Sequence, residues 1–166
     1  MKKLLVLLLI APFFIKATNP MDGGEEKMPS IVIKNLEGQD VDLQKLTSEG
    51  KITVISFWAT WCSPCKKELD NLNELIGEWK DKYNMQIVAI SIDDSRNAAK
   101  VKPYVQGKSW NFEVLIDVNQ DTKRALNYPN VPYTLLIDQN GNIVYKHTGY
   151  TEGDEYVLED KIKALQ

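Results

Sequence analysis

From residue 51 onward the chain alternates short apolar runs with longer stretches in which apolar residues recur every three or four positions. Lys51 to Ala59 (KITVISFWA) is apolar nearly throughout, as a strand buried on both faces requires. Gln86 to Ile92 (QIVAISI) repeats the pattern, and Phe112 to Ile116 and Tyr133 to Asp138 are shorter strand candidates. Between the first two strands, Leu69, Leu72, Ile76, Trp79 and Tyr83 predict a helix with one buried stripe. Pro64 suits its first turn, where a missing N–H costs nothing. Asp93-Asp94-Ser95 reads as a helix start, so a helix is predicted from Arg96, with Pro103 ending or kinking it. Asp121 to Asn127 reads as a short helix. Asn140-Gly141 predicts the turn of a hairpin whose second strand is Ile143 to His147. Asp154 to Leu165 carries Leu158, Ile162 and Leu165 on one helical face. Upstream, Ile31 and Ile33, then Val41 and Leu43, alternate around Glu37-Gly38-Gln39, a hairpin with Gly38 in its turn. Strands interleaved with helices and ending in a hairpin give an α/β layer fold with a mixed sheet.

The N-terminus follows a different pattern. Lys2 and Lys3 precede a 12-residue apolar run, Leu4 to Ile15, broken only by Pro12. A spanning helix needs about 20 apolar residues, whereas this run has the length of a signal-peptide core. Ala17 suits a cleavage site, although Ile15 and Lys16 make a poor A-x-A; the other reading is an uncleaved anchor extended by its neighbours. Thr18 to Met28 is polar and aperiodic and reads as a linker, leaving residues 29–166 as one domain. An extracytoplasmic location is expected, in the bacterial periplasm or on the outer face of the cytoplasmic membrane.

Composition narrows the function. The 166 residues carry 20 Lys+Arg, 23 Asp+Glu and one His, a net charge of -3, so nothing points to nucleic acid as a partner. Loss of residues 1–17 would remove Lys2, Lys3 and Lys16, leaving 17 cations against 23 carboxylates and a net charge of -6. Two cysteines can build neither a disulfide-rich scaffold nor an all-cysteine zinc site. Outside the cytoplasm, thiols tend to oxidise.

Those cysteines, Cys62 and Cys65, stand three apart in Trp61-Cys62-Ser63-Pro64-Cys65, between a buried strand and a helix. At a helix N-terminus unpaired N–H groups and the helix dipole favour an anion, so the Cys62 thiol should be acidified and nucleophilic. Cys65, one turn deeper, should be more buried and act as the resolving thiol. The bland readings are a passive disulfide or two core cysteines, but so short a loop constrains the unfolded chain little. Metal binding is a further alternative. Cys62, Cys65 and His147 supply three ligands where a closed zinc site wants four, and a module binding Cu(I) through the two thiols is also open.

The segment Phe57-Trp58-Ala59-Thr60-Trp61-Cys62-Ser63-Pro64-Cys65 resembles the active site of thioredoxin-fold proteins. More narrowly, it resembles that of the extracytoplasmic TlpA/ResA-type thiol–disulfide oxidoreductases, which include the cytochrome c maturation reductants. The likeness extends over residues 29–165, through the N-terminal hairpin and Val131-Pro132-Tyr133-Thr134-Leu135-Leu136-Ile137-Asp138. It implies a central mixed sheet flanked by helices, with an insertion after the second core strand, inside Asp93 to Val114. It also implies an enzyme whose partners are protein disulfides or thiols, with a membrane thiol–disulfide electron donor, in a monomer. No cofactor is expected beyond the redox-active Cys62–Cys65 disulfide. Pro132 aligns with the family's cis-proline, which brings the backbone of Val131 to the disulfide; Trp61, Pro64, Val131 and Pro132 are therefore the expected substrate-binding residues. Glu68 aligns with an acidic residue of the ResA-like group and, if half-buried, could exchange a proton with Cys65. Its other reading is an ordinary exposed residue of the KKEL run.

Two departures stand out. Ser56 occupies the place of thioredoxin's buried aspartate, and Tyr133 stands where the family more often has Thr, either shaping the substrate groove or simply packing. A thiol peroxidase of the same fold is the rival enzyme class, but peroxiredoxins lack the C-x-x-C partner.

Overall fold

A computed structural model describes residues 26–166. The apolar leader at 1–17 and most of the linker at 18–28 lie outside the described residues.

The chain runs β1 (Val32–Asn35), β2 (Asp40–Asp42), α1 (Leu43–Thr47), β3 (Ile52–Trp58), α2 (Ser63–Tyr83) and β4 (Met85–Ser91). After a 3-10 turn at Ala98–Lys100 come α3 (Val101–Lys108), β5 (Glu113–Ile116), α4 (Asp121–Leu126), β6 (Tyr133–Ile137), β7 (Ile143–Thr148) and α5 (Asp154–Lys163). The seven strands form one open sheet ordered β2-β1-β5-β4-β3-β6-β7. β3 pairs parallel with β4 and antiparallel with β6, and every residue in it is buried. This is the expected thioredoxin-like architecture, and it sets the motif at the C-terminal end of a central strand.

The two faces of β3 bury different partners. Ile52 and Val54 join Leu72, Ile76 and Trp79 of α2 and Leu158 and Ile162 of α5 in one apolar cluster. Ile55 and Phe57 belong to a second cluster with Leu43 and Tyr128. The buried positions of α2 are Cys65, Glu68, Leu69, Leu72, Ile76, Trp79 and Tyr83, a stripe at three- and four-residue spacing.

Three local expectations are corrected. Leu43 does not close the hairpin's second strand; it opens α1, because the Asp42 carboxylate accepts hydrogen bonds from the N–H groups of Gln44 and Lys45 and caps a helix there. The helix expected from Arg96 begins only at Val101, after the 3-10 turn, and runs on past Pro103 to Lys108. Pro103 lies in its first turn, where its N–H would be unpaired in any case. The end of the linker is docked against the domain: Met28 is buried, its N–H donates to the Gly141 carbonyl, and Ile143 N–H donates to the Glu26 carbonyl.

Candidate active site

Where β3 ends, Cys62 takes an extended backbone as the N-cap of α2, and Pro64 sits in the first turn. The Cys62 sulfur accepts a hydrogen bond from Cys65 N–H at 3.3 Å, so it occupies the place where a capping oxygen ordinarily stands. Cys62 and Cys65 form a disulfide, with Cα atoms 5.4 Å apart. Cys65 is fully buried and Cys62 nearly so, while Trp61 is 62% exposed and Pro64 is also exposed. The donors that would stabilise a Cys62 thiolate are thus backbone groups of α2 itself.

The loop leading into the helix is anchored from below by Asp93, whose local sequence reads as a helix start. Its fully buried carboxylate accepts from Thr60 N–H at 2.8 Å, Thr60 Oγ1 at 2.7 Å and Ser91 Oγ at 2.8 Å. Thr60 stands two residues before Cys62, so these bonds fix the entry to the motif. No local signal marks this role, because 33 residues separate the partners.

Beside the motif, the Val131–Pro132 peptide bond is cis, as the resemblance implied. Phe57 pairs with Tyr133, so the antiparallel register carries Pro132 alongside the end of β3 where the motif begins. Pro132 is buried and Val131 partly exposed. Tyr133 packs rather than lining an open groove: it is buried, stacked on Tyr128 at 5.0 Å, with Phe57 6.0 Å away. The Tyr128 hydroxyl is 3.1 Å from Thr122 Oγ1, which donates to the buried Asp117 carboxylate.

Glu68 is neither exposed nor half-buried. It is 5% exposed, because it falls on the buried stripe of α2 one turn beyond Cys65. Ser56 Oγ donates to its Oε2 at 3.0 Å and Thr134 Oγ1 to its Oε1 at 2.6 Å. Ser56 and Thr134 are register partners on β3 and β6, which presents both hydroxyls to one carboxyl. Burial pushes the Glu68 carboxyl up to about 7, against the two hydroxyls, whose donated hydrogen bonds favour the charged form. Behind it lies a chamber of about 10 Å³, room for about one water, lined by Leu72, Thr134, His147, Tyr150 and Asp154 among others. The site is therefore a disulfide at a helix N-cap with a protonatable carboxyl one turn deeper. Ser56, which replaces a carboxylate at its own position, supports the carboxyl of Glu68 instead.

His147 does not join the cysteines. It lies on β7 with Nε2 3.2 Å from Asp154 Oδ2, and no metal-binding group of three or more His, Cys, Asp or Glu residues occurs among the described residues.

Comparison with known proteins gives a consistent picture. Residues 25–146 match the AhpC/TSA family. The thiol-disulfide oxidoreductase ResA of Bacillus anthracis is 34% identical over 152 residues, covering 92% of this chain and 83% of that protein. A thioredoxin-like protein from Porphyromonas gingivalis superposes with a TM-score of 0.74 at 46% identity, over 83% of this chain and 90% of that one. A candidate thiol:disulfide interchange protein DsbE from Chlorobium tepidum gives 0.75 at 27% identity, over 85% and 96%.

Proposed function

We propose, from the premise that this chain belongs to the AhpC/TSA family and is a ResA-like thiol–disulfide oxidoreductase, that it works outside the cytoplasm as a reductant of protein disulfides. Disulfides of apocytochrome c are among its partners, and a membrane thiol–disulfide donor restores the dithiol. The observation that carries this reading is the Cys62–Cys65 disulfide at the N-cap of α2, with the buried Glu68 one turn below. The extracytoplasmic setting rests on the lysine-led apolar leader. No helix among the described residues is long and apolar enough to cross a membrane.

The cycle starts from the dithiol. The Cys62 thiolate attacks one sulfur of the partner disulfide; a Cys62–partner bond forms, and the other partner sulfur leaves as thiolate. Trp61, Pro64, Val131 and the cis Pro132 form the surface against which the partner lies, with the Val131 backbone open to strand-like pairing. Cys65 then gives its proton to Glu68 and attacks the Cys62 sulfur. The second partner thiolate leaves and the Cys62–Cys65 disulfide remains, so two electrons have passed to the partner. A carboxyl titrating near 7 suits this transfer, since it can accept a proton at neutral pH and release it again.

Trapping and potential together test the proposal. Cys65→Ser should accumulate mixed disulfides with partner proteins through Cys62, and Cys62→Ser should form few. Equilibration of the wild type with glutathione should place the pair toward the reducing end of the range of roughly -270 to -120 mV spanned by dithiol proteins. Mixed disulfides passing only through Cys65 would reverse the roles, and a potential near the oxidising end would make the protein an oxidant.

A further inference from the structure

A groove of about 320 Å³ opens between the Cys loop and the segment that follows β4, the neighbour of β3 opposite to β6, which Val131 precedes. It is lined by Thr60, Trp61, Lys66, Asn97, Lys100 and Tyr104, with no carboxylate among them. This is unusual ground in a chain whose acidic side chains outnumber its cations by 23 to 20.

Two ammonium groups serve this groove, and both rest on neutral oxygens. Lys66 Nζ donates to the Thr60 carbonyl at 3.2 Å, and Lys100 Nζ donates to Asn97 Oδ1 at 2.8 Å. Neither forms an ion pair among the described residues. The nearby carboxylates are already engaged. Asp70 holds Lys108 at 2.6 Å and the Trp110 indole N–H at 2.9 Å, Asp94 holds Arg96 at 2.5 Å, and Asp93 is buried against Thr60 and Ser91. An ammonium carries three donors, so each lysine keeps donors to offer a charged acceptor.

The aromatic wall is held in place. The Tyr104 ring lies 5.6 Å from Trp58 and 5.8 Å from Trp110, and Lys66 Nζ stands 5.6 Å from its centroid. Thr60, whose backbone carbonyl holds Lys66, is itself fixed by Asp93. The groove is therefore organised before any partner arrives, which lowers the cost of ordering it. Trp61, immediately before Cys62, forms part of it, so the groove adjoins the sulfur to which a partner polypeptide would be bonded.

We propose that the groove is a charge-selective subsite for the partner polypeptide, receiving an acidic side chain that flanks the partner's reactive cysteine. The inference rests on the thiol–disulfide reading above and adds to it the class of partner sequence. Lys66 and Lys100 supply the charge, Tyr104 the packing surface, and the segment after β4 is thereby a specificity element.

The test uses the full-length protein in its dithiol form and three peptide disulfides that differ only in the residue beside the cysteine: Glu, Gln or Lys. Stopped-flow rates of oxidation are followed by tryptophan fluorescence. An exposed ammonium–carboxylate contact is worth a factor of about 1.5 to 5. The Glu peptide should therefore react about 3- to 20-fold faster than the Lys peptide at low ionic strength. The advantage should shrink toward unity in 1 M salt and in the K66Q/K100Q double variant. Lys45→Gln with Lys51→Gln, two exposed lysines of which Lys51 precedes the start of β3, at the end opposite the motif, removes the same two charges and should keep the full preference. Equal rates for the three wild-type peptides would overturn the inference, as would a Glu preference that survives in K66Q/K100Q. If no peptide oxidises the dithiol, the thiol–disulfide reading falls first and the subsite with it; reaction without charge preference removes the subsite alone.

Discussion

Replacing Glu68 by glutamine should make the oxidised protein more stable, and only above a defined pH. Glu68 is 5% exposed and its carboxyl titrates near 7, whereas in an unfolded chain it would titrate near 4.5. Each pH unit between the two is worth about 1.4 kcal/mol. Above pH 7 the charged carboxylate therefore costs the fold about 3 kcal/mol relative to its neutral form. The native state holds this proton more tightly than the unfolded chain does, so stability falls as pH rises from 4.5 to 7. Below 4.5 both states are protonated and the penalty is absent. The amide that replaces the carboxyl would be neutral throughout and nearly the same size, and the Ser56 and Thr134 hydroxyls can rotate to accept as well as donate. The measurement is urea unfolding of oxidised wild type and Glu68→Gln from pH 4 to 8.5. The difference between them should shift by about 3 kcal/mol in the variant's favour across that range, on the order of 10 °C in melting temperature. A difference that stays flat with pH would show that Glu68 carries no desolvation penalty and would remove the ground for its proton-accepting role.

The same substitution should slow the chemistry. Release of the reduced partner by Glu68→Gln should fall by about 10²-fold near neutral pH, with the gap closing toward pH 9 as hydroxide deprotonates Cys65; superimposable stopped-flow profiles from pH 5 to 9 would exclude the role. Leu72→Ala should cost about 2–5 kcal/mol by denaturant titration, since Leu72 is buried between Ile52 and Val54 of β3 and Leu158 and Ile162 of α5; an unchanged midpoint would contradict that packing. Asp93→Ala strips the partners from Thr60 N–H, Thr60 Oγ1 and Ser91 Oγ, and should cost about 2–4 kcal/mol while raising the protease sensitivity of the loop at Thr60. With hydrogen peroxide as sole oxidant, the dithiol should react more slowly than with a peptide disulfide; faster peroxide turnover would favour the thiol-peroxidase alternative.

What the sequence determined by itself was whatever depends on short-range periodicity and local chemistry. The apolar run Lys51 to Ala59 followed by a three- and four-residue stripe placed β3 and α2, and the C-x-x-C spacing between them placed Cys62 at the helix start. Asn140-Gly141 and Gly38 marked hairpin turns that the structure bears out, with both glycines at positive φ. The cis bond at Pro132 was legible only through resemblance, because an X-Pro pair is ordinarily trans. Tertiary structure decided the rest. The burial of Glu68 follows from α2 packing on β3, whose register with β6 brings Ser56 and Thr134, 78 positions apart in the chain, under one carboxyl. Asp93 had the local signature of a helix cap, yet its carboxylate is engaged by Thr60 across the end of the parallel β3–β4 pair. Leu43 and Pro103 turn on local capping rather than tertiary contact: the Asp42 carboxylate caps α1, and Pro103 falls in the first turn of α3. Periodicity tells which side of an element is buried, but the partner that a buried polar group meets is fixed only when the sheet closes its register and the helices settle on its faces.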